Sequence, residues 1–156
     1  MAGVGEAAAV VGLISTAAKL SKAVIDVASK YKDARQQIES FGREVGFLGR
    51  TLDQLYRLFL RDQGRMSLEI RMLTGDILDE CSNFFSQLDA FNDGLYGKAG
   101  TAVPPGLRGK TKWVFDSKDL DYLRARVDSM KVNILLMMTL QSAHGSERYV
   151  IPEITR

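Results

Sequence analysis

Apolar side chains recur at alternating steps of three and four residues along nearly the whole chain. Val10, Leu13, Ala17, Leu20, Val24 and Val27 form the first series, and Ile38, Phe41, Val45, Leu48, Leu52, Leu55 and Phe59 the second. The third is Ile70, Leu73, Ile77, Cys81, Phe84, Leu88 and Phe91, and the fourth is Leu120, Leu123, Val127, Met130, Ile134 and Met137. A mean step of about 3.5 residues keeps side chains on one side of a helix. No segment alternates with period two, so no sheet is expected. Proline, which would break a helix, is absent before Pro104.

The pattern predicts four helices, at about 3–29, 31–61, 66–94 and 117–142. Gln63-Gly64-Arg65 separates the second from the third, and Ser117 ahead of Asp119-Leu120 caps the fourth. Short connections predict antiparallel neighbours, hence an all-α, up-and-down four-helix bundle. The expected core includes Phe41, Leu48, Leu52, Leu55, Leu73, Ile77, Phe84, Leu88, Leu123, Val127 and Ile134. The connection from Gly94 to Asp116 holds five glycines and both Pro104 and Pro105, and is expected to be a long mobile loop before the last helix. Residues 1–144 are read as the bundle domain. The tail from Gly145, residues 145–156, reads as the start of a linker to a further module.

Chemistry is sparse. At 156 residues with a net charge of +2, the chain suits one soluble domain and gives no case for nucleic acid. Gly109-Lys110-Thr111 resembles the end of a phosphate-binding loop, but that loop needs a glycine where Pro104 stands, and a preceding strand. The single Cys81 and single His144 cannot form a metal cluster or an oriented dyad, and no Glu-x-x-His pattern occurs. No catalytic residue, metal or cofactor is expected; the chain reads as a non-enzyme.

Two regions invite a surface role. Lys98, Arg108, Lys110 and Lys112 occur with no acidic residue from Gly94 to Phe115, and Trp113 and Phe115 stand beside them. Basic residues next to aromatics suit an anionic lipid surface, at roughly 1 kcal/mol for each cation near it; the two rings equally suit plugging the end of the bundle. The amino end is rich in small residues, among them Gly3, Gly5, Ala9 and Gly12, with Gly5 and Ala9 four apart as in closely packed membrane helices. Such glycines imply a close helix approach, a helix able to change state, or a frayed first turn. Gly42, Gly46 and Gly49 in the second helix make a surface against which the first is expected to pack closely. The uncharged stretch Ala7–Ala18 is 12 residues long, short of the roughly 20 needed to span a bilayer. Its flanks, Glu6 before and Lys19 after, are not those of a secretory signal.

Taken together, GVGEAAAVVGLISTAAKLSKAVIDVASKYKDA, IESFGREVGFLGRTLDQL and KTKWVFDSKDLDYLRARVDSMKVNILLMM resemble the N-terminal HeLo-like domains of fungal STAND (NLR-like) receptors over residues 3–142. The resemblance implies a bundle ahead of a nucleotide-binding oligomerisation module, acting in programmed cell death and non-self recognition. It implies a cytoplasmic protein that self-associates on activation, is recruited to the plasma membrane, and inserts its first helix. On this chain the insertion segment would be Gly3 to Leu20, carrying Gly3, Gly5, Glu6, Ala9, Val10, Val11, Gly12, Leu13 and Ile14. Glu6 would line a polar pore in a ring of protomers, since a lone carboxylate in lipid is costly. Lys19 and Lys22 shorten the apolar run. The competing expectation is a non-lytic adaptor that relays signals to a partner protein.

Overall fold

A computed structural model describes residues 2–62, 64–100 and 117–147. It contains four helices: α1 (Ala2–Ala28), α2 (Arg35–Arg61), α3 (Leu68–Gly100) and α4 (Ser117–Glu147). The all-α bundle expected from the apolar spacing is the fold, and no strand occurs among the described residues. The first break is wider than predicted. Residues 29–34 form tight turns in which Lys30, Tyr31 and Ala34 donate backbone hydrogen bonds three residues back. The third and fourth helices run longer than predicted, and α4 passes through Gly145.

Local chemistry sets the boundaries. Gly64 takes a φ of 78°, a left-handed conformation that costs glycine little, and it turns the chain out of α2. Ser67 then caps α3, its Oγ accepting from the Ile70 N–H at 3.3 Å. Ala34 precedes α2 without a side-chain cap, and the first turn of α2 has no acidic residue. Arg35 instead pairs with Glu39 one turn on, at 2.8 Å.

Chain direction reverses at every helix. Ala17 and Ser21 of α1 lie against Gly49 and Gly42 of α2, an antiparallel pairing. Thr74 reaches Met137, and Gln87 meets Arg126, so α3 and α4 are antiparallel. Arg124 meets Gln37 near the start of α2 and Gln141 meets Asp62 at its end, so α2 and α4 run parallel. The neighbours are α1 with α2 and α3, and α4 with α2 and α3. Connection length did not predict this: α2 and α3 follow each other in the chain but sit diagonally, meeting only through side chains such as the edge-to-face pair Phe41 and Phe91.

The core follows the predicted stripes on α2 and α4 residue by residue, with Phe41, Leu48, Leu52, Leu55, Leu123, Val127 and Ile134 buried. Phe84 and Leu88 are buried on α3, and Ile77 is half-buried against the core. Leu73 corrects the prediction: it is 46% exposed, and Thr74 takes the buried place. The inward row of α3 begins Ile70, Thr74, Leu78, two steps of four, before returning to the three-four alternation at Cys81. Thr74 can be buried because its hydroxyl donates to the Ile70 carbonyl at 2.7 Å and lies 2.7 Å from the Met137 sulfur.

One polar staple closes an end of the bundle. Gln141 is buried and its Nε2 donates to Asp62 Oδ2 at 3.2 Å, while Arg61 pairs with the same carboxylate. The hydrogen bond from Arg61, helped by that from Gln141, holds the Asp62 carboxyl below its ordinary pKa, with partial burial opposing them. A depressed folded-state pKa adds stability above the unfolded-state value, and that stability fades as pH falls through the folded value. Asp62→Ala is expected to cost about 1–3 kcal/mol at neutral pH, because it leaves the buried Gln141 amide without this partner. Urea titration at stepped pH checks both: the gap between wild type and variant should narrow below the ordinary carboxylate range.

Candidate functional site

The surface of α1 is the region that sequence and geometry single out together. Gly5–Ala28 forms 24 residues with a hydropathy of 1.5, and only 22% of its most apolar window is buried. That length and composition suffice to cross a bilayer. The predicted run was shorter because it was counted between charges; in the structure Lys19 and Lys22 sit exposed within a continuous helix.

Within the predicted insertion segment, Val10 is buried, while Glu6, Leu13 and Ile14 are half-buried. Gly5, Ala9, Val11 and Gly12 are exposed, and Gly3 lies in the first turn of α1. Gly5 and Gly12 make no close approach inside the bundle: a Cβ built on either meets nothing within 4 Å.

The close approach comes from α2. A Cβ on Gly42 would fall 2.6 Å from Ile25 Cγ1 and 3.2 Å from the Ser21 carbonyl oxygen. One on Gly49 would fall 3.1 Å from Ala17 Cβ, and one on Gly46 3.1 Å from Ser21 Oγ. The three glycines form a trough that seats Ala17, Ser21 and Ile25. Ser21 Oγ also donates to the Gly42 carbonyl at 2.6 Å. The predicted packing of α1 on this surface is therefore what the structure contains.

The other side of α1 is looser. A groove of about 330 Å³ opens along its seam with α3, lined by Leu13, Leu20 and Phe85 and by Thr16, Lys19, Ser82, Ser86 and Asp89. So α1 is fitted most closely to α2 and also packs on α3, with the groove running along part of that seam.

The second predicted surface does not join the first. Lys98 lies near the end of α3, and α1 runs parallel to α3, as the groove residues 13–20 and 82–89 show. Gly5 and Lys98 are thus at opposite ends of the bundle, separated by roughly 35 Å of helix at 1.5 Å per residue. Arg108, Lys110, Lys112 and Trp113 lie outside the described residues, as do Gly109-Lys110-Thr111 and Phe115.

The described residues offer little to reaction chemistry. They contain no group of three or more His, Cys, Asp or Glu placed to hold a metal ion. Cys81 is fully buried, and burial pushes its thiol up to about 12, with Glu80 adding and Arg126 opposing. A thiol so placed is protonated at neutral pH and inert.

Comparison with known protein families, with curated proteins and with solved structures yields no match. The physical features of the chain therefore carry the functional reading.

Sequence reasoning missed an outward apolar face on α4. Val132, Leu135, Leu136 and Leu140 are all exposed, opposite the buried stripe of the same helix. The signal was present: no Asp, Glu, Lys or Arg occurs from Val132 to Ser146. Leu68 and Met72 of α3 are more exposed still, at 71% and 64%.

Proposed function

We propose that this chain is the N-terminal effector domain of a fungal NLR-like receptor, and that it triggers regulated cell death by oligomerising and inserting α1 into the plasma membrane. The observation that carries this reading is α1 itself. It is long and apolar enough to span a bilayer, lies largely on the surface, and is seated on one side by a glycine trough. Before activation the bundle is cytoplasmic and buries Val10, Ala17, Leu20 and Val24 of α1. Release replaces contacts with α2 by contacts with lipid and with other copies of α1. In such a ring Gly5, Ala8, Ala9 and Gly12 permit close helix approach, and Glu6 faces the aqueous pore.

Deleting residues 1–20 is a poor test, because it strips Val10, Ala17 and Leu20 from the core. Val11→Asp is cleaner, since Val11 is exposed in the bundle and the change leaves packing intact. An aspartate at the centre of a spanning helix costs on the order of 2.5–3.5 kcal/mol. The variant is expected to keep the wild-type melting temperature and to lose at least about tenfold in the rate of dye leakage from anionic vesicles. Undiminished leakage by Val11→Asp refutes insertion through α1.

A non-lytic adaptor is the second reading, favoured by the exposed apolar face on α4. An adaptor leaves vesicles intact and shows a molar mass in light scattering that rises with concentration.

A further inference from the structure

Charge is divided between two helices. On α2, Arg43, Arg50, Arg57 and Arg61 recur at steps of seven, seven and four, all exposed on the side opposite the buried stripe. Glu44 and Asp53 lie half-buried at the flanks of this row. Arg50 is braced over the exposed ring of Phe47, 5.2 Å from its centre. Arg57 pairs with Asp53 at 3.1 Å yet stays exposed, with donors left for a second carboxylate. On α3 the sign reverses. From Met72 to Asp93 the sequence carries five acidic residues and no basic one. Glu69, Asp76 and Asp79 are exposed on the outward side of α3, and none of them pairs with a cation among the described residues.

The two rows match in height. Phe41 meets Phe91 across the middle of the bundle, where α2 and α3 run antiparallel. Arg57 lies 16 residues beyond Phe41, and Asp76 lies 15 before Phe91, so the two stand level. Arg61 with Glu69, and Arg50 with Asp79, agree to within three residues, ~4.5 Å of helix rise. The contacts through α4 give the same scale. Asp62 meets Gln141, one turn beyond Met137, and Met137 meets Thr74, so Asp62 is level with Ile70. Because α2 and α3 sit diagonally, the rows point away from each other, and no chain can join its own. We infer that they join neighbouring copies: the arginine row of α2 docks on the acidic row of α3 in the next copy. A twofold dimer through either row alone sets like charges face to face. The pairing is therefore head-to-tail, and level rows add copies without a rise along the bundle, which favours a ring over a helix. Since α1 and α4 occupy the other diagonal, α1 of every copy then lies on one wall.

The inference rests on the oligomerising step proposed above and names its faces, but it needs no membrane. A foreign polyanion or an anionic bilayer uses the arginines alone and is repelled by α3. A second copy meets both rows at once, at matched heights. Exposed ion pairs contribute little individually, and salt screens them. Their part is to steer the encounter and to set its register. Free copies thus associate weakly, and copies brought close together are aligned.

Sedimentation velocity over a concentration series, at low and high salt, tests the pairing. Wild type is expected to form species heavier than the monomer at low salt, with association at least about tenfold weaker at high salt. Arg50→Glu with Arg57→Glu, and Asp76→Lys with Asp79→Lys, each set like charges together and are expected to weaken association by at least about tenfold. An equimolar mixture of the two variants, and the chain carrying all four changes, bring opposite charges together again. Both are expected to return to within about threefold of wild type. All four residues are exposed, so circular dichroism should match wild type throughout. Wild type that stays monomeric at low salt overturns the inference, as do variants that associate like wild type. So does a loss that the mixture and the fourfold change do not both restore; the arginines then serve a foreign anion. Association that follows the charge swap, without dye leakage from vesicles, upholds the interface and refutes the permeabilising function. Leakage at the wild-type rate by both reversed pairs, with association also unaltered, does the reverse.

Discussion

Valine in place of Gly42 is expected to lift α1 from α2. Even a single Cβ at this position comes within 2.6 Å of Ile25 Cγ1, 3.2 Å of the Ser21 carbonyl oxygen and 3.3 Å of Val24 Cγ1. Ile25 is half-buried and has some room to turn, but the Ser21 oxygen is backbone and moves only with α1. The two Cγ methyls of valine add to the clash, and the 2.6 Å bond from Ser21 Oγ to the Gly42 carbonyl breaks as the helices part. Overpacking of this kind costs about 1–3 kcal/mol, and the lost hydrogen bond adds about 1. Against a total stability of about 5–15 kcal/mol, that is a large fraction. Urea unfolding should show the loss. Limited proteolysis should cut first in the turn at residues 29–34, which an anchored α1 helps protect. If α1 is the inserting element, the same variant leaks vesicles faster than wild type. Destabilisation with slower leakage would separate the packing argument, which would survive, from the release argument, which would not.

Phe41→Ala is expected to cost about 3–5 kcal/mol, the usual range for removing a large ring from a core. Phe41 is fully buried and meets Phe91 edge-to-face at 6.5 Å between ring centres. The pair carries more than its own area, because α2 and α3 approach only by side chains across the middle of the bundle. Alanine leaves a cavity at that junction, and helices already spaced a diagonal apart cannot close it by a small shift. Leu73→Ala is the control. A core leucine would cost about 2–5 kcal/mol, but the observed exposure of Leu73 reduces the expected loss to under about 1. Equal losses in the two variants, measured by urea unfolding, would contradict the observed rotation of α3.

The behaviour of α3 shows where the sequence stops being readable. The stripes on α2 and α4 could be read in full because apolar residues recur without a competing choice. On α3 the sequence offers Leu73 beside Thr74, and hydropathy selects the leucine. The structure selects the threonine, whose hydroxyl finds the Ile70 carbonyl one turn back and so loses little on burial. The glycines divide in the same way. Gly5, Gly12, Gly42, Gly46 and Gly49 look alike in a sequence, yet only the three in α2 face another helix. The exposed leucines of α4 were masked by the regularity of its buried stripe, which accounts for the helix without them.

The chain alone determined that there would be four helices, roughly where they would begin, and which face of α2 and α4 would turn inward. These are local outcomes: a 3.6-residue turn, a glycine able to take positive φ, and a serine able to cap need no distant partner. Tertiary packing alone decided that α2 and α3 sit diagonally, that the α2 glycines receive α1 while Gly5 and Gly12 of α1 face open space, and that Thr74 rather than Leu73 turns inward. Each of these depends on which surfaces fit one another at separations of tens of residues. The free energy of that fit is set by shape and by satisfied hydrogen bonds, neither of which a repeating pattern of apolar residues encodes.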